Sequence, residues 1–342
     1  MTINTEEIKS KWKKLKSYQP ELSSFNIAEK LKISQLELFL SALDEGFSII
    51  RNDFNEIFDE IKNNENLKIS VRNKSCVVES KSGFMIKNQS ENDFTEIQNH
   101  DISLLIQTSK IKACIAVKSS EDTSIRFFDK YGDCVLRFIL NSTDDISDEF
   151  FDKFKTNTFE IDFEIEKYCV QSGQILTEFN LENFHNDWKN LENPADFKKL
   201  LSKYGLSRWQ AVHHAPDGFF AQKILNRKIV NLIEEVNETQ LVVSILSANN
   251  CCSINYTGKI EKVSFHESWF NAFGSNSGFH LNTSKIIESR IIRKPSNAGI
   301  ISSAECYDRN YELIFEIFNH RDDDTPELNE WRALLNQFET SV

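Results

Sequence analysis

Ser303-Ala304-Glu305-Cys306-Tyr307-Asp308-Arg309, with Glu312 following, repeats the pattern of Ser124-Ile125-Arg126-Phe127-Phe128-Asp129-Lys130, with Asp133 following, 179 residues earlier. Two more blocks recur upstream in the same order. Ile33-Ser34-Gln35-Leu36-Glu37, running to Asp44, parallels Leu206-Ser207-Arg208-Trp209-Gln210, running to Asp217, at an offset of 173. Ile69-Ser70-Val71 leading to Cys76 parallels Ser244-Ile245-Leu246 leading to Cys252, at an offset of 175 for the strand residues and 176 for the cysteines. A duplicated fold keeps its strand pattern and turn residues after most identities are lost, and loop insertions make the spacing drift by a few residues. The chain therefore reads as two similar halves, residues 1–170 and 171–342. The boundary is expected between Glu166 and Gly173, ahead of Trp188, where the second copy starts.

Within a half the order is helices, then strands. Ile27, Leu31, Leu36, Phe39, Leu40 and Leu43 recur at helical spacing, whereas Val71 to Val78 and Phe127 to Phe138 are rich in β-branched and aromatic residues, with reversals at Gly83 and Tyr131-Gly132-Asp133. The second copy repeats the plan. Phe197, Leu200 and Leu201 start a helix, Val242 to Ile254 form strands, and Tyr307 to Phe318 make a hairpin around Asp308-Arg309-Asn310. The fold class is α+β, each half a large antiparallel sheet with helices. A closing helix is expected with Asp324 or Thr325 as its cap, Pro326 in its first turn, and Leu328, Trp331, Leu334, Leu335 and Phe338 as its apolar stripe.

Composition narrows the function. The 342 residues are 40% hydrophobic and 27% charged, and 27 Phe with 5 Trp supply ample core, which excludes wholesale disorder. With 52 acidic against 40 basic residues, the net charge of −12 opposes a phosphate backbone, so no nucleic-acid partner is expected. The densest apolar stretch, Leu241 to Leu246, is far short of the roughly 18 residues of a membrane span. Lys9, Lys11, Lys13, Lys14 and Lys16 surround Trp12 without the apolar run of a secretory signal, so a cytoplasmic location is expected. Seven cysteines with no C-x-x-C read as buried thiols in a reducing compartment. Glycine-rich phosphate loops are absent, Asn276 stands between Gly274 and Gly278 where a hydrolase elbow needs serine, and no two histidines are spaced i, i+4.

The second half carries a specific resemblance. Leu206-Ser207-Arg208 with Gln210-Ala211, Ala215-Pro216-Asp217-Gly218, Asn249 to Cys252, Trp269-Phe270-Asn271, His280-Leu281, Arg293-Lys294-Pro295 and Glu330-Trp331-Arg332 resemble the HemS/ChuS/PhuS haemin-utilisation family. The match is specific from Trp188 to Leu335 and looser in the first half. The resemblance implies two homologous halves with stacked antiparallel sheets and helices, binding one haem in a cleft, in the bacterial cytoplasm. Members of the family carry haem, degrade it, or both.

A haem site needs a donor for iron, cations for two propionates and apolar walls. By the resemblance, the propionate cations fall on Arg208, Lys294 and Arg321, which are expected to converge on one cleft between the halves. The family's axial histidine, seven residues beyond a tryptophan, falls on Ala195, with Asp196-Phe197 following, so that donor is missing. An arginine that the first half of the family sends to the opposite haem face falls on Ile106, and two pocket positions of the last strand, usually Gln and Tyr, read Glu316 and Phe318.

Strand alternation puts Glu316, Phe318 and His320 on one face and Leu313, Phe315 and Ile317 on the other. His320 is thus the preferred substitute axial ligand, its alternative being a solvated histidine at a strand end. His213-His214 is a second candidate, with helix-end histidines as the alternative, whereas His185 is expected to play no part. Three functions follow: a cytosolic haem-binding protein in haem-iron acquisition, as carrier or as degrading factor; a non-enzymatic module for an iron-free tetrapyrrole or another flat carboxylate; or an interaction protein whose cleft is filled by Phe318 and Ile106. Haem is the expected ligand or substrate, no other cofactor is expected, and the oligomeric state is left open.

Overall fold

The computed structural model describes residues 5–43, 45–62, 64, 66–89, 93–118, 123–140, 148–156, 164–168, 178–322 and 325–339. Two compact units form. The first comprises Met1–Arg72, Glu79–Cys169 and Asn249–Ser253, and the second comprises Asn73–Val78, Val170–Ala248 and Ile254–Val342. Most of the expected boundary, with Asp44, Cys169 and Asp324, lies outside the described residues.

The units share one plan, α+β with antiparallel sheet. In the first, strands Phe47–Ile50, Ala113–Lys118, Thr123–Phe128, Cys134–Leu140 and Lys68–Arg72 pair antiparallel in that order. In the second, Ala221–Ile224, Glu288–Ser296, Gly299–Tyr307, Leu313–Asn319 and Val243–Ala248 pair in the corresponding order. A three-stranded meander follows the same logic in each, Met85–Gln89, Phe94–Gln98 and Ile102–Gln107 against Lys262–His266, Trp269–Phe273 and Ser277–Asn282.

The repeated sequence blocks are the fold's punctuation. Ser34 and Ser207 each open a short helix, Gln35–Leu40 and Arg208–His213, through a capping box closed by Glu37 and Gln210. Asp129 accepts the N–H groups of Tyr131 and Asp133 at 2.9 and 3.0 Å, and Asp308 accepts those of Asn310 and Glu312 at 2.8 and 3.1 Å, so one aspartate builds each hairpin turn. Each turn needs a left-handed residue, Gly132 (φ +72°) in one and Tyr311 (φ +63°) in the other. A Cβ on Gly132 would lie 2.7 Å from the Ser34 Cβ, whereas Tyr311 offsets its strain by packing its ring 4.3 Å from that of Trp209.

Helices cover the second sheet on both faces. On one, Phe184, Trp188, Phe197, Leu200, Leu206 and Trp209 close over Ile292 and Tyr307. On the other, the Trp331 indole donates to the Ser302 carbonyl at 3.0 Å and Glu327 accepts the Ser302 hydroxyl at 3.1 Å. The closing helix starts at Asn329, later than Pro326 suggests, because Glu327 is drawn down onto Ser302; Trp331, Leu334 and Leu335 are buried while Leu328 stays exposed. A bulge also corrects the alternation of the last strand. Cys306 pairs with Phe315 but Tyr307 pairs with Leu313, which turns Leu313 onto the face of Tyr307, among the aromatic residues, and away from Phe315 and Ile317.

Candidate functional site

The capping box holds Arg208 as the first residue of its helix, facing the sheet. Its Nε donates to Glu305 Oε2 at 2.9 Å, and Nη2 donates to Glu305 Oε1 and Glu316 Oε2 at 2.6 Å each. Lys294 Nζ completes the group, 2.7 Å from Glu316 Oε1 and 3.3 Å from Glu305 Oε1. The Tyr307 hydroxyl also donates to Glu305. Phe197 roofs the cluster, its ring centroid 5.7 Å from the Arg208 guanidinium carbon and 5.1 Å from Lys294 Nζ. The Glu305 side chain is 0% exposed and Lys294 and Glu316 are nearly as buried, whereas 22% of the Arg208 side chain meets solvent.

Electrostatics follow from this burial. Desolvation pushes the Glu316 carboxyl up, but Arg208 and Lys294 outweigh it and hold the group well below the usual carboxylate range. Desolvation opposes the charge on Arg208 too, and Glu305 and Glu316 overcome it, so the guanidinium stays charged. Burial, with Glu305 adding to it, pushes the Tyr307 hydroxyl well up, so it remains a donor.

The expected cations divide. Arg208 and Lys294 share the two carboxylates, while Arg321 turns to the backbone, donating from Nη1 to the carbonyls of Asp322 at 2.9 Å and Thr325 at 3.2 Å. Ala195 sits in the turn Pro194–Asp196, its N–H donating to the Asn193 side chain at 2.9 Å, directly before the helix that Phe197 begins. Trp188, from which that position is counted, is fully buried, donates its indole N–H to the Arg293 carbonyl at 3.0 Å and packs 4.7 Å from Phe197.

The last strand ends at Asn319, yet the His320 N–H still donates to Val242 at 3.0 Å. The exposed His320 ring brings Nδ1 to 3.5 Å from Ser244 Oγ, and Ser244 is the register partner of half-buried Phe318. In the first unit Ile106 is fully buried in its strand, with Thr95 as its register partner. His213 is engaged at both ring nitrogens: Nδ1 faces the Trp209 carbonyl at 2.8 Å, and Nε2 lies 3.0 Å from Arg290 Nη2 and 3.3 Å from Glu288 Oε1. The His214 ring packs edge-on against Phe179, and its carbonyl lies 2.9 Å from His185 Nε2.

Sequence reasoning missed Glu305, Tyr307 and Phe197 as members of this cluster. The signal was the hairpin around Asp308, whose register puts Glu305 opposite Glu316. Two acids facing each other inside a sheet require cations, since like charges directly opposite are destabilising. The first unit carries Arg126 opposite Arg137 in the same hairpin, so one pair of positions has opposite charge in the two copies.

The sequence model of the haemin-degrading HemS.ChuX domain matches residues 32–155 and again residues 205–338. The chain belongs to the HemS family. The double match starts just before each capping box, so the duplication in the blocks is a duplication of the HemS domain. The hemin transport protein HmuS of Yersinia pestis is 24% identical to the chain over 333 residues, covering 94% of each. Among solved HemS-like folds, apo-PhuS, a heme-binding protein from Pseudomonas aeruginosa, superposes with a TM-score of 0.88 at 24% identity, over 98% of this chain and 99% of PhuS. The heme-degrading enzyme ChuS of Escherichia coli O157:H7 gives 0.86 at 21% identity, over 98% and 99%. These likenesses are ones of fold.

Proposed function

We propose that this chain is a haem-binding carrier in haem-iron acquisition, working in the cytoplasm. Its HemS membership and the names of its relatives support haem as the ligand. Arg208, whose side chain is partly exposed and which shares its carboxylates with Lys294, is the group that meets a propionate, and Arg321 is proposed as an outlying third cation. Phe318 is a proposed wall for the ring.

One observation favours carriage over degradation: a methyl group is all that position 195 offers, two residues before Phe197, whose ring packs on both cations. No lone pair is available there for iron, and the electron donation that oxygen activation draws from an axial ligand is lost at that position. His320 is the proposed substitute, on the face of Glu316 and about 13 Å along the strand from it. The same methyl supports a second reading, an iron-free tetrapyrrole as ligand.

The test is to load the protein with ferric haem, record its absorption, then add a reductant in air. Carriage predicts a Soret band that persists. Loss of that band with growth of long-wavelength absorption from an opened ring overturns carriage. A protein that shifts the spectrum of the iron-free porphyrin but not that of haem supports the second reading instead.

A further inference from the structure

We infer that Glu316 is an internal competitor for the ligand's carboxylate and thereby sets how tightly this chain holds it. The inference rests on the haem reading and extends it to the strength of binding. Glu305 and Glu316 hold the two cations differently. Glu305 is fully buried and takes two N–H groups of Arg208, one contact from Lys294 and the Tyr307 hydroxyl, which makes it a fixed part of the core. Glu316 bridges the cations, one oxygen 2.6 Å from Arg208 Nη2 and the other 2.7 Å from Lys294 Nζ. That is the arrangement a ligand carboxylate would take between a guanidinium and an ammonium.

Charge counting gives the consequence. Arg208 and Lys294 bring two positive charges, and Glu305 and Glu316 bring two negative ones, so the cluster has no surplus cation for an incoming propionate. An anion arriving at the exposed part of Arg208 meets a neutral group, and full contact requires Glu316 to give up an N–H donor. The chain then binds a carboxylate ligand weakly and releases it readily, which suits handing it on. Removing the Glu316 charge alone leaves one unit of positive charge facing the ligand.

The experiment compares haem titrations of the full chain and of Glu316→Gln, an isosteric change that keeps an acceptor oxygen but no charge, with folding checked by circular dichroism. Glu316→Gln should bind haem about tenfold more tightly, mostly through slower release. Glu316→Leu serves as a second variant: it removes one member of a buried ion cluster and so should fold with reduced stability, yet it should tighten haem binding in the same direction. Parent and folded variants binding haem equally, or the variants more weakly, overturn the competitor role and leave the haem reading standing. No haem binding by any of the proteins overturns the haem reading and the inference together.

Discussion

Glu305 and Glu316 stand directly opposite each other on neighbouring strands and reach the same Arg208 Nη2, each at 2.6 Å. Two facing carboxylates survive inside a sheet only because the cations lie between them. Breaking a buried ion cluster by removing one member strands the others, at a cost of about 3–5 kcal/mol. Glu305→Ala should therefore lower unfolding stability by that amount, and Glu305→Gln, which keeps the shape and an acceptor, by less. Urea denaturation of both variants checks this; a Glu305→Ala loss under about 1 kcal/mol would mean that the cluster does not hold the unit together.

Glu288 supplies the pH dependence. Burial pushes its carboxyl up, but the His213 and Arg290 contacts more than offset this and set it at about 2. The folded value lies below the unfolded one of about 4.3, so its stabilisation is fully present above that value and is lost as pH falls towards 2. The stability gap between the parent and Glu288→Gln should narrow by about 2–3 kcal/mol as acid protonates the carboxyl, most of it below about pH 4. A gap independent of pH in denaturation curves would contradict the assignment.

Two asparagines should behave as a pair. Asn249 accepts the N–H groups of Cys251 and Cys252 at 2.9 and 2.8 Å and donates to the carbonyls of Arg72 and Val135 at 2.9 Å each. Asn73 accepts those of Ser75 and Cys76 at 3.0 and 2.8 Å and donates to the Ile314 carbonyl at 2.8 Å. Alanine at either position leaves several backbone groups unsatisfied, so each should cost about 2–4 kcal/mol by thermal or urea unfolding. If only one of the two is costly, their equivalence is not energetic.

The duplication was legible because two of its markers are backbone requirements: a serine that caps a helix and an aspartate that folds a turn each have few substitutes, whereas the matching asparagines Asn73 and Asn249 went unread. The cation cluster was half legible. Arg208 and Lys294 were marked by the family resemblance, but Glu305 looks like any strand acid until the register of its hairpin is known. The bulge opposite Tyr307 explains the misplacement of Leu313, since a local change of register leaves no mark in an alternating pattern. Arg321 was placed with the cations by resemblance alone, and its local backbone partners could not be read from residue types.

Recognition of haem by its carboxylates at Arg208 and Lys294 is the step on which the proposed function depends. The most direct measurement titrates the unaltered protein with haem and with haem dimethyl ester, whose propionates carry no charge, following the Soret band and tryptophan fluorescence. Recognition through the propionates predicts saturable one-to-one binding of haem and weaker binding of the ester, a difference held to about tenfold by the competing Glu316 carboxylate. Equal affinity for the two, or no saturable binding of haem, would contradict it.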